Sequence, residues 1–218
     1  MQVLLLLVAI TVVIVAIAVG ILFLRQRDPG LRARGLARVA ASAMGVFAIV
    51  FGMFIVGETF TDSGAVPAPW LILAWLAPLA LLSAFAWARP AWATPVLAVL
   101  TAVIVASAIW FAVDPGAWGA IENGVGPIRA MASFVLGVAL AALGLRRPAA
   151  AGWMLLVVGV VPVAVSSLGS AQGFSSLSVV SFMPVITGVL FLASDWMSRQ
   201  AAASGAAPAG PVRRAKTT

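Results

Sequence analysis

The sequence predicts an all-α fold, a polytopic bundle of seven transmembrane helices with its N-terminus outside the cytoplasm and its C-terminus inside. Three observations predict it. Apolar residues make up 63% of the chain and charged residues only 9%, with a mean hydropathy of +1.16, whereas soluble domains are roughly 45–50% apolar and 25% charged. The apolar residues are gathered into seven runs, and a helix needs about 20 such residues to cross the roughly 30 Å hydrocarbon layer. The connections between runs alternate in charge, basic and then acidic.

The first run, Val3 to Leu24, has no basic residue ahead of it and a strongly basic segment behind it. A secretory signal peptide has the reverse arrangement, so this run is expected to stay as an anchor that translocates its own N-terminus. The second run, Val39 to Val56, holds two rows of small residues, Ala41 with Gly45 and Ala48 with Gly52. Trp70 to Trp87 follows, interrupted by Pro78, and then Ala93 to Val113. The fifth run, Ile128 to Leu145, shows Ser133, Gly137 and Ala141 at four-residue spacing, with Gly144 nearby. Trp153 to Leu168 is the shortest, and Pro162 near its outer end leads us to expect a tilted, kinked or partly unwound span. Leu177 to Ser194, with Pro184, is the last.

Residues 1–196 are thus assigned to the helix bundle and 197–218 to a disordered basic cytoplasmic tail. The stretch from Ala201 is rich in Ala, Gly and Pro and ends in Val212-Arg213-Arg214-Ala215-Lys216, a composition that cannot bury a core.

Positive charge sets the expected orientation, because Arg and Lys beside membrane helices stay in the cytoplasm. Arg25, Arg27, Arg32, Arg34 and Arg38 follow the first run, Arg89 follows the third, Arg146 and Arg147 the fifth, and Arg199, Arg213, Arg214 and Lys216 the last. The alternate connections carry Glu58, Asp62, Asp114 and Glu122, with Arg129 at the start of the fifth run. Tryptophans agree as interfacial anchors: Trp70, Trp110 and Trp118 on the acidic side, and Trp87, Trp92, Trp153 and Trp196 on the basic side.

A shift of 58 positions lays Pro69 on Pro127, Ala74 on Ala132, Leu82 on Leu140, and Arg89-Pro90-Ala91-Trp92-Ala93 on Arg147-Pro148-Ala149-Ala150-Ala151. The repeated unit would be a helical hairpin turning at Arg-Pro. Tight cytoplasmic turns in any Arg- and Ala-rich chain converge on the same residues, so duplication and convergence both fit.

Composition also bounds the chemistry. With no Cys and no His there is no thiolate, no imidazole acid or base, and no usual zinc, haem or copper ligand set. No cofactor or metal is expected, and neither is an enzyme. The net charge of +7 falls in clusters between apolar runs, which fits membrane topology better than nucleic acid, so the partners expected are the lipid bilayer and another membrane protein or a second copy of the chain. The Arg- and Ala-rich makeup is associated with bacterial genomes, placing the protein in a bacterial cytoplasmic membrane.

No ionisable residue lies in the middle of any run, where one would by default be functional. The polar groups there are hydroxyls, Thr11, Ser42, Ser83, Thr101, Ser107, Ser133, Ser166, Ser167, Ser181 and Thr187, each expected to bond to a carbonyl one turn back or across a helix interface. Two candidate sites follow. The first is an outer polar cluster of Glu58, Asp62, Asp114, Glu122 and Arg129, in which Arg129 either pairs with Glu122 or Asp114 or snorkels to the headgroups. The second is the helix-packing set Ala41, Gly45, Ala48, Gly52, Ser133, Gly137 and Ala141. In lipid, close backbone approach and dispersion must hold helices together, and small residues permit it. The function expected is that of a noncatalytic membrane subunit or scaffold acting through helix contacts. The alternative is a carrier or channel for a small neutral or lipid-like solute.

Overall fold

The computed structural model describes residues 14–21, 23, 25–26, 28–61, 68–113, 128–169 and 174–205. Apart from residues 26, 28, 89 and 145–147, the described residues are helical, in seven helices that follow the seven apolar runs in order. Helix α1 comprises residues 14–21 with Phe23 and Arg25. Then come α2 (Pro29–Thr61), α3 (Ala68–Ala88), α4 (Pro90–Val113), α5 (Ile128–Gly144), α6 (Pro148–Gly169) and α7 (Phe174–Gly205). Among the described residues, three segments are long and apolar enough to cross a membrane: Gly30–Gly52, Pro90–Trp110 and Pro148–Val165. Leu76–Ala88 and Met131–Gly144 are shorter apolar helices. The chain is a helical membrane protein.

Two helices run well past their apolar cores. Helix α2 begins ten residues before Val39, and the cause is local. Asp28 is its N-cap, with the Gly30 amide donating to Asp28 Oδ1 at 3.2 Å, and Pro29 occupies the first helical position, where its missing N–H costs nothing. Helix α7 continues past residue 197, the expected start of the tail, to Gly205. Asp195 pairs with Arg199 four residues on at 2.8 Å, in the favourable acid-before-base order. With 33 and 32 residues, each helix is about 50 Å long at 1.5 Å per residue.

Helix α6 is also longer than its run and is continuous through Pro162, not partly unwound. It starts at Pro148, again a proline at the first position. Arg89 alone separates α3 from α4, and its amide closes α3 by donating to Phe85 O at 2.9 Å. At the α5–α6 turn both Arg146 N and Arg147 N donate to Leu143 O, at 2.9 and 2.8 Å.

Helix α5 is the centre of the bundle, touching α2, α3, α4, α6 and α7. Phe134, Leu136, Ala139, Leu140, Ala141 and Leu143 are all buried. No large apolar side chain of α5 is exposed among the described residues, whereas every other helix exposes several, among them Ile14, Ile49, Leu81, Val99, Val160 and Val189. Such outward apolar surface is what lipid solvates. Helix α3 packs chiefly on α5 and α4 chiefly on α6, so the hairpins α3–α4 and α5–α6 lie side by side with the helices related by the 58-residue shift in contact.

The tightest crossing joins α6 to α7. A Cβ on Gly188 would lie 2.9 Å from the carbonyl oxygen of Gly152, and one on Gly152 would lie 3.0 Å from that of Gly188. The leucine one turn beyond each glycine fills the space over the other: Leu192 sits over Gly152 and Leu156 over Gly188. Two antiparallel helices thereby interlock through the same small-then-large pattern. Because a methyl at Gly188 would meet backbone rather than a movable side chain, Gly188→Ala should cost about 1–3 kcal/mol, whereas Gly20→Ala, with no described neighbour within 4 Å, should not destabilise. Thermal unfolding in mild detergent followed by circular dichroism checks this; equal midpoints for the two variants would contradict the crossing.

Candidate functional site

The two candidate regions fare differently in the structure. Of the outer polar cluster, Asp62, Asp114 and Glu122 lie outside the described residues. Glu58 and Arg129 have helical backbones in α2 and α5, and their side chains lie outside the described set, as does any pairing of Arg129 with Glu122 or Asp114.

The helix-packing set splits between its two helices. On α5, a Cβ at Gly137 would lie 2.7 Å from Met44 Cε and 3.8 Å from Pro184 Cγ. The glycine is the gap through which α2 and α7 reach the central helix. One turn on, Ala141 is buried, and beyond it the Phe191 ring occupies the space beside Gly144 that a side chain would fill. Ser133 is half-buried. On α2, the buried face is Leu36, Ala40, Ala43, Met44, Phe47 and Phe51. Phe47 and Phe51 close on Phe134 of α5, with ring centroids 6.4 and 5.2 Å away. The row Ala41, Gly45, Ala48 and Gly52 is set one residue further round from Ala40, Met44, Phe47 and Phe51. Ala41 and Ala48 lean on the core, but neither Gly45 nor Gly52 has a described atom within 4 Å of where its Cβ would stand.

Buried hydroxyls show how the interior handles polarity. Thr101 donates to Leu97 O at 2.8 Å and Ser107 to Ile104 O at 2.7 Å, both bonds within one helix. Ser194 instead crosses the bundle, donating at 2.8 Å to Ala33 O on α2. Both residues are buried, and Ala33 lies in the surplus turns of α2. Ser83 Oγ and Thr187 Oγ1 are buried with no hydrogen-bond partner among the described residues, contrary to the expectation that each would bond one turn back or across a helix interface. Thr187 lies on α7 between Pro184, beside Gly137, and Phe191, beside Gly144.

Contacts between elements bring the arginine-bearing turns to one end of the bundle. Ser194 on Ala33 places the end of α7 against the start of α2, and Phe191 on Gly144 places it beside the α5–α6 turn. The Arg146 guanidinium lies over the Trp87 indole, 4.7 Å from its centroid, joining that turn to the end of α3. Arg32 closes the α1–α2 connection, donating to the Gln26 and Phe23 carbonyls and lying 5.4 Å over the Phe23 ring. Trp87, Trp92, Trp153 and Trp196 are exposed at this same end.

The Gly152–Gly188 crossing and the Ser194 bond involve residues not singled out in the sequence, and the Arg146–Trp87 stack joins two that were read only as separate membrane-edge residues. Asp28-Pro29-Gly30 would have revealed the early start of α2, being an N-cap followed by a first-position proline. The α6–α7 crossing has no such mark, because each glycine is followed one turn later by leucine rather than by a second small residue.

Among the described residues, no group of three or more His, Cys, Asp or Glu could hold a metal ion. Comparison of the chain with protein-family models, with curated proteins and with solved structures finds no match in any of the three.

The two classes of hydroxyl lead to opposite outcomes. Ser194→Ala leaves the Ala33 carbonyl to find another partner and should lower stability by about 1 kcal/mol. Thr187→Val keeps shape and removes an unsatisfied group, so it should be neutral or stabilising. Unfolding midpoints of the two variants check both; a large loss for Thr187→Val would mean that its hydroxyl is bonded.

Proposed function

We propose that this chain is a seven-span, noncatalytic membrane subunit or scaffold of a bacterial cytoplasmic membrane, N-terminus out and C-terminus in, working through helix contacts with another membrane protein or a second copy of itself. Gly45 and Gly52, on the outer side of the small-residue row of α2, mark its contact face. The observation that carries this reading is the contrast between two helices rich in small residues. The glycines of α5 are used up within the chain, filled by Met44 and Phe191, while Gly45 and Gly52 have no described neighbour. Exposed Val46 and Ile49 beside that row would supply dispersion contacts to a helix laid against it. Small residues two turns apart let another backbone come close, which is how helices associate where the hydrophobic effect gives no drive.

The orientation rests on the arginines. Arg25, Arg34, Arg38, Arg89, Arg146, Arg147 and Arg199 are exposed at the end where the turns gather, and the positive-inside rule assigns that end to the cytoplasm.

The alternative, a carrier or channel for a small neutral or lipid-like solute, draws on Ser83 and Thr187, whose buried hydroxyls have no partner among the described residues. A solute hydroxyl would satisfy them. The surroundings of Thr187 weigh the other way: Met183, Leu140, Leu143 and Phe191 are fully buried, as in a packed core.

The chain has no cysteine, so single substitutions test these statements without background. Gly45→Cys and Gly52→Cys should cross-link under mild oxidation or with a short bifunctional maleimide, to a second copy or to a copurifying partner. Val99→Cys, on the exposed face of α4, should not. Clean monomer from mild detergent, with no cross-link at either α2 position, would sink the proposal. For orientation, Leu145→Cys at the α5–α6 turn should resist a membrane-impermeant maleimide in intact cells and react after lysis; labelling in intact cells would invert the topology.

A further inference from the structure

A concentration of positive charge lies where the turns of the two hairpins meet. Arg89 is the whole connection between α3 and α4, Arg146 and Arg147 lie between α5 and α6, and all three are exposed. The stack of Arg146 on Trp87, two residues before Arg89, fixes one turn against the other. No described carboxylate is left to balance them, since Asp28 caps α2 and Asp195 pairs with Arg199. Helices α4 and α6 both begin here. Each begins with a proline, which has no N–H, and the Trp92 amide donates to the Arg89 carbonyl at 3.1 Å, so the guanidiniums are the main donors at these turns; the helix dipoles add to the attraction for an anion. Trp92 and Trp153, in the first two turns of those helices, are exposed to 69% and 62%. An indole at that position sits at headgroup depth in a bilayer.

We infer that this seam binds an anionic phospholipid headgroup, and that a diphosphate lipid of the cardiolipin type fits it best. Two phosphates match two turns, one bridged by Arg146 and Arg147, the other held by Arg89. Trp92 and Trp153 flank the glycerol and acyl region. Planar guanidinium donors engage phosphate in pairs, and the indole under Arg146 holds its plane in place. Guanidiniums fixed on two adjoining turns differ from a diffuse positive surface, where each charge contributes about 1 kcal/mol whatever its position. The inference requires only that this end of the bundle lie at headgroup level. It holds or fails independently of the contact face on α2.

The test is native mass spectrometry of the intact chain released from mild detergent with added cardiolipin, phosphatidylglycerol or phosphatidylcholine. Cardiolipin adducts should persist at activation energies that strip phosphatidylcholine, with about tenfold greater occupancy at equal concentration. The triple variant Arg89→Gln, Arg146→Gln, Arg147→Gln should lose most of that preference, while Arg34→Gln with Arg38→Gln, exposed on α2, should keep it. Equal loss in both variants would reduce the effect to diffuse charge and overturn the site. If the triple variant is misfolded by circular dichroism, Arg146→Lys keeps the charge but not the planar stack. It should weaken cardiolipin retention several-fold, and unchanged retention would overturn the proposal. Displacement of the lipid by millimolar inorganic phosphate would also overturn it, by showing a site for free anion.

Discussion

Everything in this bundle depends on how closely two helices can approach when there is no water to expel. Lipid solvates an apolar side chain as well as another helix does, so association must come from dispersion at short range. The α6–α7 crossing is the clearest case. Gly152 and Gly188 bring backbone against backbone, and Leu192 and Leu156 cover the glycines reciprocally. Antiparallel helices can do this because one residue step forward on the first is one step back on the second. The same principle explains α5, whose missing side chains at Gly137 and Gly144 are replaced by Met44 and Phe191 from its neighbours. A central helix made of small residues at those positions collects large residues from elsewhere.

Polarity is dealt with by a second constraint, that a buried polar group needs a partner close by. Thr101 and Ser107 find theirs within their own helices, contributing little to tertiary structure. Ser194 finds its partner on α2 and so ties together the two longest helices at the end where both outrun their apolar cores. Charged groups collect at that same end and are organised by aromatic rings, Arg146 on Trp87 and Arg32 on Phe23. Such contacts hold a cation's plane without neutralising it.

The packing also separates small residues by what surrounds them. Gly137 and Gly45 each follow a small residue four positions back, Ser133 and Ala41, yet the first is filled by Met44 and the second has no described atom within 4 Å of where its Cβ would stand. That difference carries the reading of α2 as a contact face, and no pattern along the chain contains it. The unsatisfied hydroxyl of Thr187 likewise becomes visible only once Pro184 and Phe191 are seen to line up on the same face of α7.

The sequence by itself determined the helical class, the order of the seven helices and the basic turns between them, because length, apolarity and the cost of an unbonded peptide group in lipid are properties of a segment alone. Proline at a first turn and aspartate before it are equally local, which is why Asp28-Pro29 marks a start without reference to anything distant. Tertiary structure decided which helix is central, which glycines are filled, where Ser194 bonds and which turns meet. Those outcomes depend on a neighbour as much as on the residue. The same glycine is a gap, a crossing point or an open face according to what the rest of the chain places beside it.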